Sequence, residues 1–181
     1  MGRSRLPHPR RRYLIAPRPR LRAARPGDGP GAYAVFHAAV HQGAASAYTA
    51  DERAAWAPHA TAPTPARWEQ RLLAAHTVVA TLRGRIIGFM TLGGDGHIDL
   101  AYVAPDWMGR GVADALYDAI LRLARDAGMP VLSTEASLLA RSFFARHNWR
   151  VIARQSVIRH GVALTNFRME YDVSSSPAGS K

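Results

Sequence analysis

The sequence predicts a single α/β (α+β) domain. Short β-rich runs alternate with amphipathic helical patterns from residue 20 onward, and no linker divides them. The 181 residues suit one domain, and 48% of them are hydrophobic, which is sufficient for a sizeable core. A glycine run at 109–111 joins an apolar strand pattern to a long helical pattern, which indicates a strand-to-helix turn.

The first third is predicted to contain three helices after one short strand. Thr49 and Glu52 have the spacing of a capping box, which predicts the start of a helix. Pro26-Gly27-Asp28-Gly29 has turn chemistry and offers a plausible N-cap for the first helix. The predicted elements are a strand at 20–24, helices near 30–43, after Thr49 and at 66–75, and a loop at 57–65.

The rest of the chain is predicted to be mostly β-structure around two helices. Two β-rich runs flank Gly84, and two more flank His160–Gly161, which predicts two hairpins. Apolar side chains over 112–127 recur at spacings of three and four, which predicts an amphipathic helix. The predicted strands are 77–82, 86–92, 97–104, 131–136, 149–158 and 162–171, with a further helix at 137–147. Alternation is expected to place residues 98, 100 and 102 on one face of their strand.

The net charge of +11 is concentrated near the N-terminus. Nine of the 24 basic residues lie in residues 1–25, which contain no Asp or Glu, so the rest of the chain is nearly neutral. We predict a disordered basic arm over 1–19, a folded domain over 20–172 and a disordered tail over 173–181. Two interpretations of the arm stay open: an extension before the true domain, or a segment that binds phosphate or nucleic acid.

Composition excludes several kinds of chemistry. The chain has no cysteine, which excludes disulfides, thiolate nucleophiles and cysteine-ligated metals. Its eight histidines show no H-E-x-x-H or similar ligand spacing, so we predict no metal. No apolar run approaches the ~20 residues needed to span a bilayer. We therefore expect a cytoplasmic protein with no membrane partner.

The glycine run suits an anion-binding helix N-terminus. The first N–H groups of a helix have no partner within it and lie at the positive end of its dipole. Small residues at 109, 111 and 113 let a diphosphate approach the backbone. The run lacks the Gly-Lys-Ser/Thr ending of a Walker A loop and the third glycine of a dinucleotide fingerprint. A tight turn with no ligand is the alternative interpretation.

Two segments resemble a known family. Residues 102–128, YVAPDWMGRGVADALYDAILRLARDAG, resemble motif A of the GNAT acyltransferase superfamily, whose Gln/Arg-x-x-Gly-x-Gly/Ala pattern falls on 108–113. Residues 136–149, ASLLARSFFARHNW, resemble the later helix of that family. The resemblance covers about residues 20–172, and within the superfamily the chain looks like the YafP-like branch.

This resemblance implies an N-acetyltransferase that moves an acetyl group from acetyl-CoA directly to an amine-type acceptor. It implies a central mixed, mostly antiparallel sheet of about seven strands, splayed at its centre and flanked by about four helices. Amides of the glycine run would hold the pyrophosphate, and the strand before it the pantetheine arm. The implied CoA-binding residues are Ala101, Tyr102, Val103, Met108, Gly109, Arg110, Gly111, Val112, Ala113, Asp114, Ser137 and Phe144.

The chain departs from the family pattern at three places. Met108 stands where Gln or Arg is usual, which removes a polar side chain but leaves the backbone cradle. Ser137 and Asn148 replace Asn and Gly; serine can still donate a hydrogen bond, and asparagine tolerates a left-handed backbone. Phe144 occupies the position of a tyrosine that protonates the departing thiolate, and phenylalanine cannot donate a proton.

Candidate catalytic and acceptor-binding residues lie on the central strands and in the first third. Asp99 and Glu135, followed by His97, are the candidate bases. Asp99 lies in an apolar strand, where burial would make its carboxylate more basic; a structural ion pair is the alternative interpretation. Tyr48 and Trp56 are predicted to bind the acceptor, with core packing as the alternative.

Three functions stay open. The first hypothesis is an acetyltransferase acting on a small-molecule or peptidyl amine. The alternatives are a toxin-like acetyltransferase that modifies aminoacyl-tRNA, which the basic arm favours slightly, and a non-catalytic regulatory module that binds acyl-CoA. The near-neutral folded part argues against a nucleic-acid partner, and a homodimer stays open.

Overall fold

The protein, in a computed structural model that describes residues 18–58 and 66–175, contains eight strands and five α-helices within those residues. The strands are β1 (Arg20–Ala23), β2 (His76–Leu82), β3 (Arg85–Leu92), β4 (His97–Ile98), β5 (Ala101–Val103), β6 (Val131–Ala136), β7 (Arg150–Arg159) and β8 (Val162–Asp172). The helices are α1 (Gly29–Ala38), α2 (Ala50–Trp56), α3 (Ala66–Leu73), α4 (Val112–Asp126) and α5 (Leu138–Arg146).

These strands form two four-stranded sheets. The first has the order β1-β2-β3-β5 and is antiparallel throughout. The second has the order β4-β6-β8-β7, in which β4 is parallel to β6 and the other pairs are antiparallel. The predicted α+β class is confirmed, although the described residues form eight strands rather than about seven and five α-helices rather than about four.

The additional strand arises because a break at Asp99 and Leu100 divides one predicted strand into β4 and β5. Threonine hydroxyls satisfy the backbone there. Thr91 Oγ1 accepts from the Leu100 N–H at 2.9 Å, and Thr134 Oγ1 donates to the Ile98 carbonyl at 2.8 Å. The expected alternation is wrong across the break, because Ile98 and Leu100 pack in different core clusters.

Helices cover both faces of the first sheet. Val78 and Val79 are adjacent on β2 but belong to different core clusters, because successive strand residues face opposite sides. The larger cluster includes Leu116 and Ile120 on the apolar side of α4, and the smaller includes Phe36 of α1. Helix α4 therefore packs on one face of the sheet, and α1 on the other.

Gly88 on β3 permits the close packing of α4. A Cβ at Gly88 would lie 3.1 Å from Leu116 Cδ1 and 3.2 Å from Val112 Cγ1. The Tyr102 carbonyl oxygen on β5 would lie 3.1 Å from the same Cβ. The first turn of α4 is thereby held beside β5, which positions the glycine run next to the end of the broken strand.

The two predicted helix starts have different outcomes. The capping box of α2 is confirmed: Thr49 Oγ1 accepts from the Glu52 N–H, and Glu52 Oε2 accepts from the Thr49 N–H. The N-cap of α1 lies in the predicted turn, at Asp28, but its carboxylate makes no capping hydrogen bond and accepts from the Arg22 guanidinium and the Arg25 N–H instead. Arg22 holds the pKa of Asp28 below its ordinary value.

The ends of the chain are described only in part. Val173–Ser175 form a 3-10 turn beyond the predicted domain end at 172, and Val173 is buried. Residues 1–17 and 176–181, which make up most of the predicted arm and tail, lie outside the described residues. In the part of the chain that the structure describes, every helix is too short or too polar to cross a membrane.

Candidate active site

Two cavities meet at the break between β4 and β5. The first, here called the glycine cavity, is about 320 Å³ and runs along β5 and the first turn of α4. The second, the aromatic cavity, is about 530 Å³ and lies between helices α1–α3 and the β7–β8 hairpin. The residues that line both are Trp56, Asp99, Tyr102, Glu135 and Ser137. Ligands in the two cavities would therefore adjoin each other at this shared wall.

The glycine run leaves its backbone open to the glycine cavity. Gly109 and Gly111 have φ angles of +70° and +77°, which disfavour other residues. A Cβ at either position would have no neighbouring heavy atom within 4 Å. Gly111 is the N-cap of α4, so the first N–H groups of the helix, which lack partners within it, belong to residues at this opening. The turn can therefore hold an anion.

Strand β5 presents a free edge to the same cavity. It is the last strand of the first sheet and pairs with β3 through Ala101–Val103. Its other neighbour would be β6, but β6 pairs with β4 and not with β5. Within residues 18–58 and 66–175 the second edge of β5 therefore has no strand partner. An extended ligand can pair with such an edge.

The structure brings ten of the twelve predicted CoA-binding residues to the glycine cavity. Arg110 and Val112 are the exceptions. Val112 is 3% exposed and packs in the core, and the Arg110 guanidinium lies 5.4 Å from the centroid of the Trp107 ring. The side chains of these two residues do not line the cavity, but their backbone belongs to the turn, and the predicted contact of this run is through backbone amides. The Asp114 carboxylate, at the cavity, lies 3.1 Å from His147 Nε2.

Asp99 is ion-paired rather than buried. Its side chain is 45% exposed, and Arg71 Nε and Nη2 donate to its two oxygens at 2.8 and 2.7 Å. The prediction that Asp99 is buried in an apolar strand is wrong. Its carboxylate instead forms an ion pair, which was the alternative interpretation. Both carboxylate oxygens of Asp99 are therefore already occupied by hydrogen bonds from Arg71.

Glu135 is the other carboxylate on the shared wall. It lies on β6, is exposed, and accepts one hydrogen bond from Asn166 Nδ2 at 3.2 Å. Among the described residues it has no ion-pair partner. His97, the third candidate, lines only the aromatic cavity, where its Nδ1 lies 3.0 Å from Ser133 Oγ. Glu135 is therefore the carboxylate best placed to take a proton at the shared wall.

Tyr102 provides a phenol where the two cavities meet. Burial raises its pKa well above the ordinary value, and a side-chain hydrogen bond with Trp56 lowers it by a smaller amount. The phenol therefore keeps its proton at neutral pH and can serve as a hydrogen-bond donor.

Tyr48 and Trp56, the predicted acceptor-binding residues, both line the aromatic cavity. The Tyr48 hydroxyl donates to the Thr165 carbonyl at 3.0 Å and accepts from the Leu138 N–H at 2.9 Å. It thus links the first turn of α5 to β8, and its hydroxyl is not available as a further donor. The Trp56 ring stands on the shared wall, 5.3 Å from the Tyr48 ring.

Phe144 lies at the glycine cavity and is 1% exposed. Its ring centroid is 4.7 Å from that of Trp149 and 5.3 Å from that of Phe143. The ring thus belongs to an aromatic cluster beneath the cavity. Phe144 has no hydroxyl and so cannot act as a proton donor at this position.

Sequence reasoning did not identify several residues of the site. Arg71 follows Trp68 by three positions on α3, and its guanidinium lies 6.0 Å from that ring, so helical spacing was a usable signal. Asn166 and Arg159 reach the aromatic cavity from the distant β7–β8 hairpin, and no local pattern marks them. Phe143 lines the glycine cavity beside Phe144. Within the described residues, no group of three or more His, Asp or Glu could hold a metal ion.

Comparisons with known proteins agree on one family. A family model described as an acetyltransferase (GNAT) domain matches residues 44–171. A protein of Escherichia coli (strain K12), named uncharacterized N-acetyltransferase YafP, is 30% identical over 151 residues, which cover 83% of this chain and 94% of that protein.

Solved structures with the same fold include two N-acetyltransferases. The crystal structure of a GCN5-related N-acetyltransferase from Rhodopseudomonas palustris is 36% identical, with a TM-score of 0.79 over 86% of this chain and 96% of that one. The PaiA N-acetyltransferase from Thermoplasma acidophilum, in complex with coenzyme A, is 13% identical, with a TM-score of 0.64 over 85% and 98% of the two chains. At that identity the second likeness shows the fold alone.

Proposed function

The chain belongs to the GNAT acetyltransferase family, and from that premise we propose that it transfers the acetyl group of acetyl-CoA directly to a small-molecule or peptidyl amine. The observation that carries this proposal is the meeting of the two cavities at one wall. One cavity offers open backbone for an anion and an extended chain, and the other offers room for an acceptor.

The glycine cavity fits acetyl-CoA, which would supply an activated thioester. The open space at Gly109 and Gly111 and the unpaired N–H groups of the first turn of α4 suit the diphosphate. The free edge of β5 suits an amide-rich pantetheine arm, because it offers alternating N–H and C=O groups.

Glu135 is proposed to take the proton from the acceptor nitrogen, directly or through one water. Its carboxylate lines both cavities and has one hydrogen-bond donor, Asn166. Asp99 was the first candidate, but its two oxygens accept from Arg71. We therefore assign Asp99 the role of positioning Arg71 and α3 at the aromatic cavity.

Tyr102 is proposed to donate a hydrogen bond to the sulfur as it leaves. The transfer forms a carbon–nitrogen bond and breaks the carbon–sulfur bond, with the nitrogen proton passing to Glu135. The raised pKa of Tyr102 keeps its phenol protonated, so it stabilises the thiolate without surrendering its proton. Because the free thiol has a pKa of about 8.5, the thiolate can then take a proton from solvent on release.

One experiment tests the proposed function. Calorimetry measures CoA binding, and a thiol assay measures CoA release from acetyl-CoA with a panel of primary amines and an aminoacyl-tRNA. Binding together with amine-dependent release supports the proposal. Release with aminoacyl-tRNA alone favours the toxin-like alternative, binding without release favours a regulatory module, and the absence of binding overturns the assignment of the glycine cavity.

A further inference from the structure

The aromatic cavity indicates the chemical class of the acceptor: we propose that it is a primary amine joined by a short aliphatic linker to an aromatic ring. This inference rests on the proposed function, because it concerns the substrate of the same site.

Aromatic rings form a continuous wall in this cavity. Six aromatic side chains line it, and the centroids of successive rings lie 4.8 to 6.4 Å apart. In contact order they are Tyr33, Trp68, Phe36, Tyr102, Trp56 and Tyr48. Four of these rings are only partly buried and leave surface for a ligand, namely Tyr33, Trp68, Tyr102 and Trp56. Rings of this kind favour an aromatic partner beyond what its apolar area alone provides.

The positions of the rings orient the acceptor. Tyr102 and Trp56 stand on the shared wall with Glu135, whereas Tyr33 and Trp68 line the aromatic cavity alone. An amine beside Glu135 therefore places the body of the molecule toward Tyr33 and Trp68. A short linker is needed because the nitrogen must reach the shared wall while the ring stays among the outer side chains.

The charges of the wall argue against a polycationic acceptor. Two guanidinium groups, of Arg71 and Arg159, line the aromatic cavity. Of the two carboxylates there, Asp99 is paired with Arg71, which leaves Glu135 for one ammonium group. A second ammonium would meet Arg159, which has no ion-pair partner among the described residues. One amine on an apolar body fits this distribution better than a polyamine does.

Four amines test the inference. We expect kcat/KM for 2-phenylethylamine to exceed that for 2-cyclohexylethylamine by about three- to tenfold, since ring–ring contacts distinguish the two. Butylamine lacks the ring altogether and should be poorer by about a hundredfold. Spermidine should be no better than butylamine. Equal or greater kcat/KM for spermidine, butylamine or 2-cyclohexylethylamine overturns the inference and leaves the proposed function intact.

Variants locate the preference in the cavity. Trp68→Leu should reduce the preference for 2-phenylethylamine over butylamine by about tenfold, and Trp68→Phe should retain most of it. Tyr33→Leu is a second test should Trp68→Leu fail to fold. Trp107→Leu is the matched control: Trp107 lines only the glycine cavity, so the ratio between amines should not change even where KM for acetyl-CoA does. A ratio unaffected by both cavity variants contradicts the inference.

Binding provides a readout that does not depend on turnover. If CoA binds but no amine causes release of CoA from acetyl-CoA, the proposed function fails. The preference of the aromatic cavity for an aromatic amine can then still be tested by binding. The CoA-loaded protein is then titrated with 2-phenylethylamine in a calorimeter. Binding that Trp68→Leu weakens several-fold supports the inference, and the absence of binding overturns it.

Discussion

Arg71 and Asp99 form an ion pair through two hydrogen bonds at the wall where the two cavities meet. The guanidinium Nε and Nη2 donate to the two carboxylate oxygens at 2.8 and 2.7 Å. Both side chains remain nearly half exposed, so the pair contributes about 0–1 kcal/mol to stability. It also occupies both oxygens of Asp99, which leaves Glu135 as the carboxylate proposed to take the proton from the acceptor.

Replacing Glu135 should remove base catalysis. We expect Glu135→Gln to lower kcat by about a hundredfold to ten-thousandfold, the usual effect of general base assistance. CoA affinity, measured by calorimetry, should stay unchanged, because Glu135 is proposed to act on the acceptor rather than on the acyl donor.

Asp99→Asn is the matched control for this assignment. It should keep kcat within about tenfold of the parent, because the amide oxygen still accepts from Arg71 and Glu135 is untouched. A loss of kcat of about a hundredfold or more in Asp99→Asn but not in Glu135→Gln would return the role of base to Asp99.

Replacing Gly111 should lower the affinity for CoA, and this loss should exceed any effect of the lower stability of the folded protein. Gly111→Val puts a branched side chain into open space at φ +77°, where a diphosphate is proposed to lie. Gly128→Val is the control, since its φ is +68°, its Cβ also meets nothing within 4 Å, and it lies outside the glycine cavity. Both variants should lose about 1–3 kcal/mol of stability. Calorimetry should show reduced CoA affinity in Gly111→Val alone.

Removing the Tyr102 hydroxyl should slow the reaction. We expect Tyr102→Phe to lower kcat by about tenfold to a hundredfold, because a donor to the departing thiolate is lost. Adding Phe144→Tyr should restore part of the rate, since it returns a phenol to the position used by relatives. Phe144→Tyr alone should stay within about tenfold of the parent. A Tyr102→Phe variant with full activity rules out this role.

The partly buried ion pair of Arg22 and Asp28 should make stability depend on acid pH. The folded-state pKa of Asp28 lies below its ordinary value of 3.8 because of the Arg22 hydrogen bond, so its contribution is present above that value and lost as pH falls through the lowered pKa. Arg22→Met leaves a carboxylate that is 7% exposed with only the Arg25 N–H as donor. We expect a loss of about 1–3 kcal/mol at pH 7 that shrinks toward pH ~3.

Urea unfolding between neutral and acid pH measures this dependence. Arg71→Met is the control, because it breaks an exposed pair and should cost less than about 1 kcal/mol. An equal loss in the two variants, or a loss in Arg22→Met that does not vary with pH, contradicts the prediction.

Tyr117 should make stability depend on alkaline pH. Its hydroxyl accepts from Trp149 Nε1 at 3.0 Å in the core, and burial raises its pKa to about 12 from 10.0. Its contribution is complete below pH 10 and is lost as pH rises toward 12, a change of about 3 kcal/mol. Tyr117→Phe should lose about 1–3 kcal/mol at neutral pH, because the indole N–H is left unpaired.

In the Tyr117→Phe variant, the free energy of unfolding should fall less steeply between pH ~10 and ~12, because one fewer group loses its proton on unfolding. Part of the pH dependence will remain, because burial also raises the pKa of Tyr102 and Tyr48. Free energies of unfolding measured by urea titration between pH ~9 and ~12 provide the test. An identical pH dependence in parent and variant counts against the raised pKa.

Features set by residues near each other in sequence could be predicted. The capping box needs only Thr49 and Glu52, and the apolar spacing of α4 identifies its buried side without tertiary information. The glycine turn is similar, because Gly109 and Gly111 adopt positive φ angles that other residues disfavour.

Features set by distant partners could not be predicted. The strand break depends on hydroxyls of Thr91 and Thr134, which come from two other strands. The apolar neighbours of Asp99 in sequence predict that it is buried. Its ion-pair partner Arg71 lies 28 positions away on a helix, so no local pattern reveals the pair. Asn166 approaches Glu135 across paired strands for the same reason.

Because the strand is divided into β4 and β5, a ligand bound between β5 and β6 would connect the two sheets. An extended ligand between β5 and β6 would act as a removable ninth strand, joining two sheets that diverge beyond Ile98. Binding of this ligand would then raise the free energy of unfolding by RT ln(1 + [L]/Kd). It would also slow amide hydrogen exchange across both sheets. Because product release would remove that strand at every turnover, the molecule would alternate between a tighter and a looser form, and its lifetime under heat or protease would depend on the supply of its acyl donor.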